Sequence, residues 1–194
     1  MSSVDYHMWA IVLTSLLLLV TLALLLRRLQ AWQRSEQRRL GDRFGPEYAR
    51  TVAKLGSPWR AVRALRARER RVERLRLAEL SGSERASFEH RFHLTQACFV
   101  DRPMAALQEA EQLIESVMIA RGYPPRAPEQ QLEDLSVHFA EATYGYRCAR
   151  ESLQEEAHDT EQLRRAFIQY RQLFAQLLHS NLQTIQYRYQ EARS

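Results

Sequence analysis

Lysine is almost missing from this chain, cysteine is scarce, and no lysine or arginine occurs before residue 27. Lys54 is the single lysine among 28 basic residues. Positive charge is therefore carried by arginine, a bias that codon usage can explain and that is weak evidence of function. The two cysteines, Cys98 and Cys148, lie fifty residues apart with no CxxC pair and no His/Cys cluster beside them, which excludes a disulfide framework and a zinc knuckle. Both read as reduced thiols inside helices, with one pairing between them left open. Neither a P-loop nor a GxGxxG is present, so backbone cradling of nucleotide phosphates has no support. Alternating β-type runs and hairpin turns are also missing. The class is all-α.

What is abundant comes in two blocks. From Met8 to Leu26 nineteen residues carry no charge, enough for a helix of about 28 Å, close to the hydrocarbon thickness of a bilayer. Tyr6 and Trp9 stand at one end and Trp32 just beyond the other, where amphipathic rings favour the headgroup layer. A cleaved signal peptide would need a basic start and small residues before a cleavage site, but MSSVDYH is followed by the span and then by RRLQAWQR. Arg27, Arg28, Arg34, Arg38, Arg39 and Arg43 crowd behind the span. The positive-inside bias then places the N-terminus outside and the remainder in the cytoplasm. Charge stays polarised beyond that point. Arg27 to Arg76 holds sixteen basic against five acidic residues, a net of +11, and Leu77 to Ser194 holds twelve against seventeen, a net of −5.

The patterning predicts residues 1–7 outside, a transmembrane helix over 8–26, a basic juxtamembrane segment over 27–56, a helical domain over 57–190 and a tail over 191–194. That domain reads as a soluble bundle of about four to five helices. The anchor helix continues to about Leu40 and breaks at Gly41, Gly45 and Pro46. Ser57 and Pro58 open an arginine-rich helix that runs to Leu80. Ser81 with Glu84 forms a capping box for a helix to Val100 bearing Phe88, Phe92, Thr95 and Phe99 on one side. A helix starting at Asp101 carries Ala106, Leu107, Ala110, Leu113, Ile114, Val117 and Met118 as its stripe and ends at Gly122. Tyr123, Pro124, Pro125 and Pro128 prevent continuation. A short turn of helix follows over Gln131 to Leu135, after which Ser136 caps a helix containing Phe139, Tyr146, Ala149 and Leu153, with Gly145 as a close crossing point. Thr160 caps a last helix reaching Tyr189, with Leu163, Phe167, Tyr170, Phe174, Leu177, Asn181 and Ile185 at alternating four- and three-residue steps.

Several segments, FGPEYARTV (Phe44 to Val52), FVDRPMAALQEAEQLIESVMIARGYP (Phe99 to Pro124), LSV (Leu135 to Val137) and TEQLRRAFIQYRQLF (Thr160 to Phe174), resemble an uncharacterised family of bacterial helical proteins with GPEYxRTV, FVDxP, RGYP and TExLRxAxxxYRxLF segments. The resemblance covers most of Phe44 to Leu178. It implies a shared helical fold and supplies no catalytic residue; the expected setting of the anchor is a bacterial inner membrane. Family members often carry Trp where Phe92 stands and His-Pro where this chain has His138-Phe139, so any role of that pair is in doubt.

Assembled chemistry is sparse. His90 and His93 share a helix face with Glu89, and Glu155 with His158 supplies one Glu-x-x-His, but a di-iron bundle needs two such motifs and two further acids. No metal, cofactor or catalytic residue is assigned, and the chain reads as a non-enzyme. The basic helix is the remaining feature. Its Arg60, Arg63, Arg66, Arg68, Arg70, Arg71, Arg74 and Arg76, tempered by Glu69, Glu73 and Glu79, read first as a solvated face. Contact with anionic lipid comes next, through Arg63, Arg66, Arg70 and Arg74. The expected function is a membrane-anchored helical adaptor or scaffold whose partners are the lipid bilayer and a cytoplasmic protein, with homo-oligomerisation through the last helix as an extension. The alternatives are a membrane-tethered nucleic-acid-binding protein, for which the basic stripe is the electrostatic footprint but no binding motif accompanies it, and an enzyme with an unrecognised site.

Overall fold

The computed structural model describes residues 3–154 and 159–181, with side chains from residue 13 onward. Eight helices and no strand occur among the described residues. They are α1 (Ser3–Phe44), α2 (Pro46–Leu55), α3 (Pro58–Val72), α4 (Gly82–Cys98), α5 (Pro103–Ala120), α6 (Pro128–Leu135), α7 (Ala140–Ser152) and α8 (Thr160–His179).

α1 is longer than expected. It passes through Gly41 because Leu40 and Phe44, one turn apart, are both fully buried in the same core and only a continuing helix keeps them on one face. Gly45 ends it with φ +48°, a left-handed conformation suited to glycine, and Pro46 takes the first turn of α2, where its missing N–H costs nothing. The GDRFGPEY stretch is therefore a helix end and a helix start, which raises the number of helices after the span to seven. By length and composition α1 can cross a membrane. Leu13, Leu16 to Leu19, Leu22 and Leu24 to Leu26 stand 50–70% exposed around its whole circumference, a surface that water does not tolerate and lipid does.

Two apolar cores hold the remainder. The larger draws on α4, α5, α6, α7 and α8, with Leu113, Val117, Leu135, Leu173, Leu177 and Leu178 at its centre. Phe92 stacks on Phe174 at 4.2 Å between centroids, and Phe99 tilts against Phe167 at 4.6 Å. The second core joins α1 to α3 and to the start of α7 through Leu40, Phe44, Val62, Leu65, Val72 and Val137.

Several boundaries differ from expectation. α3 stops at Val72, not Leu80, because the chain then runs extended across the end of α5, where the Ala78 N–H donates to the Arg121 carbonyl at 3.0 Å. Leu80 is buried from this strap. Gly122, at φ +87°, lies so close beneath it that a Cβ would stand 2.5 Å from the Arg76 carbonyl oxygen. The Ser81 and Glu84 capping box forms as expected. α5 opens at Pro103, preceded by Arg102. Ser136 closes α6 instead of opening α7, its hydroxyl donating to the Glu133 carbonyl at 2.7 Å. Phe139 then leaves helical geometry and α7 begins at Ala140. At α8 the cap is Asp159, not Thr160: its carboxylate accepts from the Gln162 N–H while the Gln162 side chain accepts from the Asp159 N–H. Among the described residues α8 ends at His179, and the expected extension through Ile185 to Tyr189 lies outside them.

Candidate membrane-proximal site

α1 and α3 meet in a regular ladder. Trp59 and Val62 lie against Trp32, Gln33 and Glu36. One turn on, Arg66 pairs with Glu36 at 2.7 Å and stacks its guanidinium 4.8 Å from the centre of the Trp32 ring. Glu69 then receives Arg39 at 3.3 Å and Arg43. Later residues of α3 meet later residues of α1, so the two helices run in the same direction. The first turn of α3 is thereby held at the level of Trp32, the end of the domain nearest the apolar span. Glu36 is kept below the usual carboxylate range, since hydrogen bonds from Arg66 and Arg39 outweigh the opposing effect of its burial.

This arrangement divides the arginine stripe. Ala61, Val62, Leu65, Arg68, Glu69 and Val72 form the buried face of α3. Of the four arginines expected at a lipid surface, Arg63 and Arg70 are exposed on the opposite side, Arg74 is exposed beyond the helix end, and Arg66 is half-buried against α1. Arg60 is exposed in the first turn. Arg68 and Arg71 face inward, where the sequence alone reads them as part of the basic stripe.

Those inward arginines belong to an ionic cluster among α2, α3, α6 and α7. Glu47, 1% exposed, accepts from Arg147 Nε at 3.1 Å and lies 3.7 Å from Arg68. Arg147 also pairs with Glu129, Arg68 with Glu133 at 3.1 Å, and Arg71 with Asp134 and Glu133. Signs alternate through the cluster, so each buried charge has an opposite neighbour, the condition for tolerating desolvation. Sequence reasoning missed it because Glu47 and Arg147 are a hundred residues apart and no local spacing links them. A third buried arginine, Arg121, is fully enclosed and donates to the Leu178 and Ser180 carbonyls at 3.1 and 2.8 Å, satisfying the C-terminal end of α8.

A groove of about 790 Å³ lies between α7 and α8, with Pro46 at its edge. Its walls are rich in amides and small residues, including Gly145, Cys148, Gln162, Gln169 and Gln172. Gly145 is a close crossing point as expected, since a Cβ there would fall 2.0 Å from Gln169 Oε1. The two charged residues that line it, Glu141 and Arg165, form no ion pair with each other, Arg165 being bonded to Glu161 on its own helix, and the Cys148 thiol is hydrogen-bonded to the Tyr144 hydroxyl. Tyr146 and Tyr170 tilt against each other at 4.5 Å between centroids, and burial raises both phenols so that they stay neutral. Cys98 and Cys148 are free, half-buried thiols. His90 and His93 are exposed on α4, no metal-binding group of acids, histidines and cysteines occurs among the described residues, and the Glu155 and His158 pair lies outside them. His138, half-buried, is hydrogen-bonded through Nδ1 to the Tyr123 hydroxyl at 2.8 Å.

Comparison with protein-family models, curated proteins and solved structures gives no match. The class that the observations define is an all-helical protein with one N-terminal helix able to cross a membrane.

Proposed function

We propose that this protein is a single-pass, membrane-anchored adaptor: α1 crosses the bacterial inner membrane with its N-terminus outside, and the helical domain presents a docking surface to a cytoplasmic protein partner. The observation that carries the reading is the unbroken passage of α1 from a bare apolar span into the second core, where Leu40 and Phe44 are fully buried. A chain built to tether loosely would place a flexible linker there. The groove between α7 and α8 supports the adaptor part, because it offers amides and apolar surface, and its two charged residues, Glu141 and Arg165, form no ion pair with each other.

A photo-crosslinking residue at Gln169, in cells expressing the full chain, tests both parts. The expected result is one membrane-fraction adduct of defined mass, lost when Gln172→Trp fills the groove and retained when the exposed Glu115 of α5 is changed to Gln. Absence of any adduct, or substrate turnover that disappears on a groove substitution, overturns the adaptor reading in favour of an enzyme. Recovery of the chain in the soluble fraction overturns the anchor.

A further inference from the structure

We infer that the turn between α2 and α3, together with Trp32 of α1, seats the domain in the headgroup layer of the bilayer that α1 spans, and that the ligand of this seat is anionic phospholipid. The inference rests on the reading of α1 as an anchor and adds where, and by which residues, the domain touches the membrane.

Height is the first ground. Trp32 lies six residues beyond Leu26, about 9 Å along a helix axis. Headgroups occupy the zone immediately outside a hydrocarbon core of ~30 Å. Because side chains lean toward the N-terminus of their own helix, those of α1 lean back toward the span, and those of α3, which runs in the same direction, do so too. Trp32 and the first turn of α3 therefore point into the headgroup zone.

Composition is the second ground. Trp32 and Trp59, which line one small hollow, remain 49% and 44% exposed. Two half-exposed indoles around one hollow are costly in water and favourable at a lipid interface, where the ring is buried and the N–H stays wet. Charge is the third. Arg27 and Arg28 lie on α1 in the turns before Trp32 and Arg60 and Arg63 lie on α3 in the turn after Trp59, all four exposed, and the first turn of α3 has no acidic residue. Glu36, the acid close by, is already held by Arg39 and Arg66. Among the described residues Arg60 and Arg63 enter no salt bridge, so their charge is available to phosphate. The same geometry lifts Arg70 about 16 Å farther from the membrane than Trp59, and Arg74 farther still. The lipid-contacting set is thus Arg60 and Arg63 with the two tryptophans, and Arg66 serves to brace Trp32.

The test uses the full chain in nanodiscs, either wholly phosphatidylcholine or with about 30% phosphatidylglycerol. Trp9→Phe with Trp32→Phe leaves Trp59 as the fluorescent reporter, and Trp32→Phe with Trp59→Phe leaves Trp9 in the span. With a lipid spin-labelled at its headgroup, Trp59 emission is expected to fall about twofold or more in anionic discs. Arg60→Gln with Arg63→Gln is expected to remove most of that quenching there and little in neutral discs. Full quenching of Trp59 by aqueous iodide, with none by the labelled lipid while Trp9 is still quenched by bilayer label, overturns the seat alone. Failure to quench Trp9 overturns the anchor itself. Equal quenching of Trp59 in both discs, insensitive to the arginine substitutions, or displacement from the lipid by duplex DNA, overturns anionic phospholipid as the ligand.

Discussion

Replacing Glu69 by Gln should loosen the union of α1 with the domain. The carboxylate is 3% exposed and receives both Arg39, at 3.3 Å, and Arg43. Neutralised, it would leave Arg39 with Glu36 at 3.3 Å, and Arg43 with the Val137 carbonyl at 3.4 Å. Removing one partner of a fully buried pair costs about 3–5 kcal/mol. Arg39 and Arg43 retain 29% and 15% side-chain exposure, so water recovers part of that, and a loss of about 2–3 kcal/mol is expected. In a chain of this size the loss lowers Tm by roughly 5–10 °C. Thermal unfolding followed by circular dichroism in detergent measures it, with hydrogen exchange showing whether the loss is concentrated at residues 39–44. Glu115→Gln, on the exposed face of α5, is the control and should move Tm by about 1 °C at most. A Glu69→Gln protein indistinguishable from this control would refute the argument that the pair locks the two helices together.

Two glycines should respond differently to alanine. Gly122→Ala forces a Cβ onto the Arg76 carbonyl at φ +87° and should destabilise by about 2 kcal/mol or more in denaturant titration, whereas Gly145→Ala meets only the end of the flexible Gln169 side chain and gains about 1 kcal/mol of helix propensity, leaving stability nearly unchanged. Arg121→Met should cost about 2–3 kcal/mol by the same titration, because the Leu178 and Ser180 carbonyls lose their donor. Burial, assisted by the Arg43 charge, holds the His138 pKa down at about 4 from 6.5. The folded protein therefore refuses a proton that the unfolded chain accepts, and stability falls as pH drops from about 6.5 toward 4, by at most about 3 kcal/mol; unfolding curves across that window should be flatter for His138→Gln.

Much of the fold was legible because helix signals are local. The uncharged run of α1, the Ser81 and Glu84 box, the stripe of α5 and the glycine at its end each depend on residues within a few turns of one another. Boundaries failed where a distant partner decided them. α3 was expected to run to Leu80 by pattern, yet the carbonyl of Arg121 captures the strap after Val72. Gly41 reads as a breaker until the shared burial of Leu40 and Phe44 is known. At the candidate site, the arginines were visible as a charged stripe but their division was not. Helical phase alone cannot tell which side of an arginine-rich helix is buried when Glu36, Glu47, Glu133 and Asp134, all remote in sequence, supply the counter-charges. That Trp32 and Trp59 line one hollow was hidden for the same reason.

The central claim is that one continuous helix crosses a bilayer and enters the core of the domain. Hydrogen exchange on the full chain in nanodiscs, resolved over residues 13–44, tests it directly. The account predicts protection that persists without a gap from the apolar span through Arg27 to Trp32 and on to Phe44, with the strongest protection outside the bilayer near Leu40 and Phe44. Rapid exchange over residues 27–40, between a protected span and a protected domain, would show a flexible tether and contradict it.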